Sequence, residues 1–154
     1  MKRLAVVRMK GEKHINQKVD DTLKMLNLTK VNYCTIINDD KVYSGMLQKV
    51  KDLVTWGEVG KDAVNDLLKN RGELVGRKKI TDSYIKKRTS FKSISDFSKA
   101  FVDFKAELKD IPEIRPFFRL HPPRKGHEGI KRTYRQGGAL GQRDNITDLL
   151  IKMR

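Results

Sequence analysis

Cysteine occurs once in the 154 residues of this chain. Cys34 therefore has no partner for an internal disulfide, and no redox pair or cysteine zinc site can be built from it. It lies in the apolar run Tyr33 to Ile37, where a thiol serves as a small core side chain. No apolar stretch approaches the ~18 residues a membrane helix needs. The basic start MKRLAVVRMK holds only Leu4 to Val7 as an apolar run, too short for a signal peptide. The expectation is a soluble cytoplasmic protein with no membrane contact. Proline is absent before residue 112, so nothing interrupts the periodic patterns upstream of it. Histidine occurs only as His14, His121 and His127, and no further His or Cys completes a metal site around any of them. There is no Walker phosphate loop. The glycines between Gln136 and Gly141 do not open a strand-to-helix nucleotide unit. No cofactor and no small-molecule substrate is expected.

Acidic residues are also scarce, 19 against 34 Lys and Arg, for a net charge of +15. A large excess of one sign costs stability by self-repulsion unless a polyanion neutralises it. The excess is not spread evenly: 11 of the 15 charges lie in residues 77–88 and 112–143, together 44 residues. Such clustering is the footprint of a nucleic-acid-binding chain.

Periodicity outlines a core. Leu4 to Met9, Val31 to Ile37 and Leu53 to Val59 read as strands. Between the first two, Asn16 caps a helix with Ile15, Val19, Leu23 and Leu26 on one face. Between the second and third, Ser44 is expected to cap a short helix burying Leu47 and Val50. Gly11 to His14 and Asn38 to Asp40 are turns. Residues 1–60 thus form a β-α-β-α-β core of α/β (α+β) class. Residues 61–111 form a helical extension: Lys61 to Arg71 with Gly72 as its stop, a short helix from Thr81 to Arg88, and a helix from Ser93 ending at Asp110. Its stripe Phe97, Phe101, Phe104 and Leu108 reads as core. Residues 112–154 form an extended basic loop closed by a short helix, with Asp144 or Asn145 as cap and Ile146, Leu149, Leu150 and Met153 on its apolar face. The three segments are expected to make one structural unit.

The loop holds all four prolines and five of the eleven glycines. About 30 residues without regular structure is unusual inside a compact domain and points to function. Arg119, His121, Arg124, Lys125, Lys131, Arg132, Arg135 and Arg143 are the candidates for phosphate and groove contact, because guanidinium donates to phosphate in pairs. Tyr134 and the histidines can stack on exposed bases. Arg77, Lys78 and Lys79, with Lys86, Lys87 and Arg88, form a second patch. Lys10, Lys13, His14 and Lys18, at the first strand-to-helix turn, address RNA from one end of the sheet. Free in solution, 112–143 is expected to be mobile and to order on RNA.

Four stretches carry a resemblance: Asp20 to Leu28, Tyr43 to Gly57, Phe118 to Gly126 with its Arg-Leu-His-Pro-Pro-Arg block, and Tyr134 to Gly141. With these the chain resembles the universal large-subunit ribosomal protein family numbered thirty, in its longer archaeal form, whose eukaryotic relative carries the number seven. The resemblance spans essentially the whole sequence. It implies a core with a three-stranded antiparallel sheet and two helices, and a structural role without catalysis. It implies binding to large-subunit ribosomal RNA near the small 5S RNA, among neighbouring ribosomal proteins, in the cytoplasm. It also implies RNA contact for Arg119 to Lys125 and for Tyr134, Arg135, Gln136, Gly137 and Gly138. Two other readings stay open on the residues alone. One is a transient assembly factor with the same charge pattern. The other is an RNA-processing enzyme using His121, His127 and Glu128.

Overall fold

The computed structural model describes residues 2–11 and 13–154. Glu12, inside the expected turn at Gly11 to His14, lies outside them. Three strands and two helices follow the expected alternation: β1 (Arg3–Arg8), α1 (Gln17–Met25), β2 (Tyr33–Asn38), α2 (Lys41–Val50) and β3 (Val54–Glu58). β1 is central and antiparallel to both neighbours, with Val7 opposite Cys34 on one side and Val6 opposite Trp56 on the other. The strand runs lack apolar–polar alternation because both faces are buried. On one face α1 and α2 cover Val6, Ile37, Val54 and Trp56 with Leu23, Leu26, Leu47 and Val50. On the other, Ala5, Val7, Cys34 and Ile36 meet the rest of the chain.

That second layer is built by α3 (Lys61–Arg71), α4 (Asp82–Arg88), α5 (Ile94–Val102) and α6 (Ile146–Met153). Residues from all three sequence segments enter its core, among them Val64, Phe97 and Met153. Cys34 is fully buried there, which pushes its thiol up to about 12, so it carries no thiolate at neutral pH. The expected caps at Asn16, Thr81, Ser93 and Asn145 all accept a backbone N–H of their helix.

Four expectations are corrected. The sheet has five strands, in the order β4-β2-β1-β3-β5, and not three. β4 (Phe118–Arg119) adds antiparallel to β2, and β5 (Gly141–Gln142) adds parallel to β3. Both come from the Pro- and Gly-rich segment expected to lack regular structure. They form because the outer edges of β2 and β3 carry backbone N–H and C=O groups that need partners. Ser44 is inside α2: the helix begins at Lys41 after Asp40, and the Ser44 N–H donates to the Asp40 carbonyl at 2.8 Å. The α5 helix stops at Val102, not Asp110. Phe104 takes a positive φ of 59°, and a separate 3-10 turn follows at Leu108–Asp110, closed by reciprocal bonds between Glu107 and Asp110. Finally, residues 73–79 form a small hairpin that periodicity did not signal. Glu73 bridges Lys79, and Leu74 bridges Ile114.

The break after Val102 has a cause. Arg3, on the central strand, is 3% exposed. Its guanidinium lies 4.1 Å from the Phe101 ring and 4.2 Å from the Phe104 ring. It donates to the Phe101 carbonyl at 3.0 Å, the Ala106 carbonyl at 3.2 Å and Glu107 Oε1 at 2.9 Å, and also to Asn38 Oδ1. The chain leaves the helix in order to wrap this cation, because a buried guanidinium without acceptors would be costly.

Candidate nucleic-acid interface

Strand direction decides where the basic segments meet. β4 runs parallel to β1, since both are antiparallel to β2. Its C-terminal end, at Arg119, therefore lies at the end of the sheet where β1 delivers the turn with Lys10, Lys13 and His14. Backbone bonds join these parts: the Asn32 N–H donates to the Arg8 carbonyl at 2.9 Å, and the Leu120 N–H to the Asn32 carbonyl at 3.0 Å. α6 ends there too, because the His121 and Arg124 N–H groups donate to the carbonyls of Met153 and Lys152 at 2.8 and 3.1 Å. Those carbonyls are the unpaired ones a helix C-terminus always leaves. The C-terminal loop caps α6 and in turn is held by it.

A cleft of 550 Å³ opens at this end. Its walls carry Arg77 and Lys79 from the hairpin, Arg124 from the loop, Lys69 and Arg71 from the last turn of α3, and Arg154. The structure thus brings the two basic segments together, although 44 residues lie between Lys79 and Arg124. Asp66 and Glu73 are the acids of the lining. Asp66 holds Arg154 at 2.7 and 2.9 Å, and Glu73 holds Arg119 at 3.7 Å. Sequence reading missed Lys69, Arg71 and Arg154. The signal was present for the first two: they are basic residues in the last turn of a helix, within ten positions of Lys79. Residues 61–76 hold 3 basic against 3 acidic residues, so no local excess of charge marks them.

The other candidates divide by exposure. Lys13, His14 and Lys18 are exposed at the β1–α1 turn, and Lys78 is exposed on the hairpin. His121, Lys125, Lys131, Arg132, Arg135, Gln136 and Gly137 are also exposed. Arg119 is half-buried beside Glu73. Lys86, Lys87 and Arg88 are exposed at the end of α4 but do not line the cleft. Arg143 is turned inward: Nε donates to Thr55 Oγ1 at 2.9 Å, a terminal nitrogen donates to the Ala139 carbonyl at 3.1 Å, and the guanidinium lies 5.0 Å from the Tyr134 ring. Arg143 and Tyr134 brace the loop against β3. These contacts of Arg143 are all within the protein.

Gly138 is likewise buried. A Cβ on it would lie 2.1 Å from the Arg132 carbonyl oxygen, the same oxygen that accepts from the Ala139 and Leu140 N–H groups at 3.1 Å each. This glycine lets the loop close on its own backbone, whereas Gly137, at φ 78° with open space around it, ends the 3-10 turn Tyr134–Gln136. Gly138→Ala is expected to open the 129–140 turn and to raise its protease sensitivity at least about tenfold. Limited proteolysis followed by mass mapping checks this, and an unchanged cleavage rate would contradict the account. The estimate takes a steric cost of about 1.4 kcal/mol or more, within the usual range for overpacking.

His121, His127 and Glu128 do not form one cluster around a shared cavity. His127 and Glu128 border a cleft with Tyr134, Arg143 and Asp148, and His121 is not part of its lining. Burial, together with the Arg143 charge, lowers the His127 pKa, so the ring is mainly neutral at pH 7 and adds no cation. Among the described residues no group of three His, Cys, Asp or Glu could hold a metal ion. No helix among them is long and apolar enough to cross a membrane.

Comparison with known proteins adds sequence kinship to this geometry. The model of the family described as ribosomal protein L30p/L7e matches residues 4–54. The large ribosomal subunit protein uL30 of Methanopyrus kandleri is 51% identical over 148 residues, covering 94% of this chain and 99% of its own. The protein of the same name from Methanoculleus marisnigri is 48% identical over 151 residues, covering 97% and 99%. That of Archaeoglobus fulgidus is 47% identical over 150 residues, with the same coverage.

Proposed function

This chain belongs to the ribosomal protein L30p/L7e family, and from that membership we infer that it is a structural constituent of the large ribosomal subunit, binding ribosomal RNA and catalysing no reaction. The observation that carries this is kinship along the whole chain: identity of 51% covers 94% of it, so it includes most of the basic extension beyond the 4–54 core. The physical role is to neutralise phosphates and to fill the space between RNA helices with an anchored basic segment, which stabilises their packing.

The exposed basic candidates are the RNA-contacting residues of this reading, with those at the cleft end of the sheet foremost. The position near the small 5S RNA and the cytoplasmic ribosome as location belong to the same proposal and rest on the resemblance. Neighbouring ribosomal proteins are its other partners. Residues 1–60, 61–111 and 112–154 act in it as core, helical extension and RNA-facing segment of one unit.

Sedimentation of a native lysate through a gradient at moderate salt tests the reading. The protein is expected to travel with mature large subunits and with translating ribosomes. Confinement to precursor particles would make it an assembly factor instead, and migration as free protein would refute a ribosomal role.

A further inference from the structure

We propose that the cleft between the end of α3, the 73–79 hairpin and the loop at Arg124 seats the sugar–phosphate backbone of a ribosomal RNA strand. The proposal rests on the RNA-binding reading above and assigns it a place. Three observations carry it.

The first is unbalanced charge. Asp66 and Glu73 already hold Arg154 and Arg119. Among the described residues no carboxylate pairs with Lys69, Arg71, Arg77, Lys79 or Arg124. Five cations around one cleft repel one another, and the fold holds them together nonetheless. The Arg124 backbone is held to the end of α6 by the bond from its N–H to the Lys152 carbonyl.

The second is a corner with unmet hydrogen-bonding capacity. Arg71 Nε, Glu73 Oε2 and Arg119 Nε are each enclosed and have no hydrogen-bond partner. Arg119 and Glu73 are near enough to attract, at 3.7 Å, but too far apart to bond. Buried polar atoms are rarely left so, and each one asks for an explanation. A phosphate in the cleft gives Arg71, which lines it, an acceptor for its guanidinium.

The third is backbone strain. Arg77 and Lys125 hold positive φ, 61° and 68°, a conformation disfavoured for residues with a Cβ. Strained residues of this kind gather where function needs them. Here they are a basic residue of the cleft and the neighbour of another.

The lining favours nucleic acid over an acidic protein. Apart from Gly72 it consists of charged side chains and Asn70, with no apolar pocket of the sort that anchors a protein partner. Guanidinium forks suit phosphate oxygens.

The test uses the full chain and large-subunit ribosomal RNA transcribed in vitro, with affinity measured across a salt series. The cleft variant carries Arg77→Gln, Lys79→Gln and Arg124→Gln. A control removes the same charge elsewhere, with Lys41→Gln, Lys49→Gln and Lys92→Gln, all exposed. Thermal melts establish that both variants fold. The cleft variant is expected to bind about a hundredfold more weakly at moderate salt, with its log–log salt slope flattened by about 2 to 3. The control is expected to stay within about threefold of wild type. Equal losses in the two variants would mean diffuse attraction and would overturn the seat. So would a cleft variant that binds RNA like wild type, including one that is nevertheless excluded from subunits, since that points to a protein at the cleft. Failure of the wild-type chain to bind RNA would instead refute the reading beneath it.

Discussion

Arg3→Met is expected to lower the free energy of unfolding by about 3 kcal/mol, through lost hydrogen bonds to buried carbonyls and lost contact with two rings. Most of the loss does not come from Glu107, whose side chain is 54% exposed and returns to water at little cost. It comes from the Ala106 carbonyl, which loses its donor in a dry site, at about 1–3 kcal/mol, and from the bond to the Phe101 carbonyl, which keeps the Phe104 N–H at 3.3 Å. The cation between the rings of Phe101 and Phe104 adds about 1 kcal/mol. Urea titration checks this: the midpoint should fall while the slope with denaturant stays unchanged. Arg3→Lys is expected to recover little, because an ammonium cannot reach these acceptors as a planar fork does. A loss below about 1 kcal/mol would show that the site is a surface pair in effect. The turn after Val102 depends on the same contacts, so amide exchange at residues 103–107 should rise in the variant more than at β2.

The affinity of the whole protein for ribosomal RNA is expected to fall about a thousandfold between 50 and 200 mM salt. With about six phosphates contacted, the logarithm of affinity changes with the logarithm of salt at a slope of about −5 on duplex RNA and about −4 on a single strand. The effect arises from counterions released when cations replace them along the phosphates, so it grows with the number of contacts and not with buried apolar area. Filter binding over a salt series measures it. A slope near zero would show that the positive charge of this chain does not engage phosphate. Arg3, Arg8 and Arg143 should contribute little to that slope. The first two are buried, and the third is committed to Thr55 and Ala139.

These three arginines show where sequence reading stops. A charge count treats every guanidinium as surface, yet Arg3 and Arg8 lie on the central strand at the places where the core needs donors. Arg8 donates to the carbonyls of Lys10, Leu28 and Thr29 at 2.9, 2.8 and 2.9 Å. Local signals were read well. Lys61–Arg71 is a helix of the expected length because its apolar spacing and the glycine after it act within a few residues. Asp82–Arg88 likewise starts at the Thr81 cap. β4 and β5 were illegible because two residues carry no period. What creates them is an unpaired sheet edge far away in the chain. The cleft was illegible for the same reason: each basic segment could be seen, but their meeting depends on strand direction and on the docking of α6. The resemblance of whole blocks of sequence brought the family and its RNA within reach. It could not tell that Gly138 faces inward, or that Arg143 works as a brace.

The way the sheet is finished also has a temporal meaning. Both outer strands, Phe118–Arg119 and Gly141–Gln142, are synthesised well after the three strands they flank. The β-α-β-α-β core is complete near residue 60, so at about 5–20 residues per second both sheet edges stay bare for roughly 3–12 seconds, until β4 is made. Within a nascent chain those edges can recruit strands from other molecules. Truncation before residue 118 would make that interval permanent.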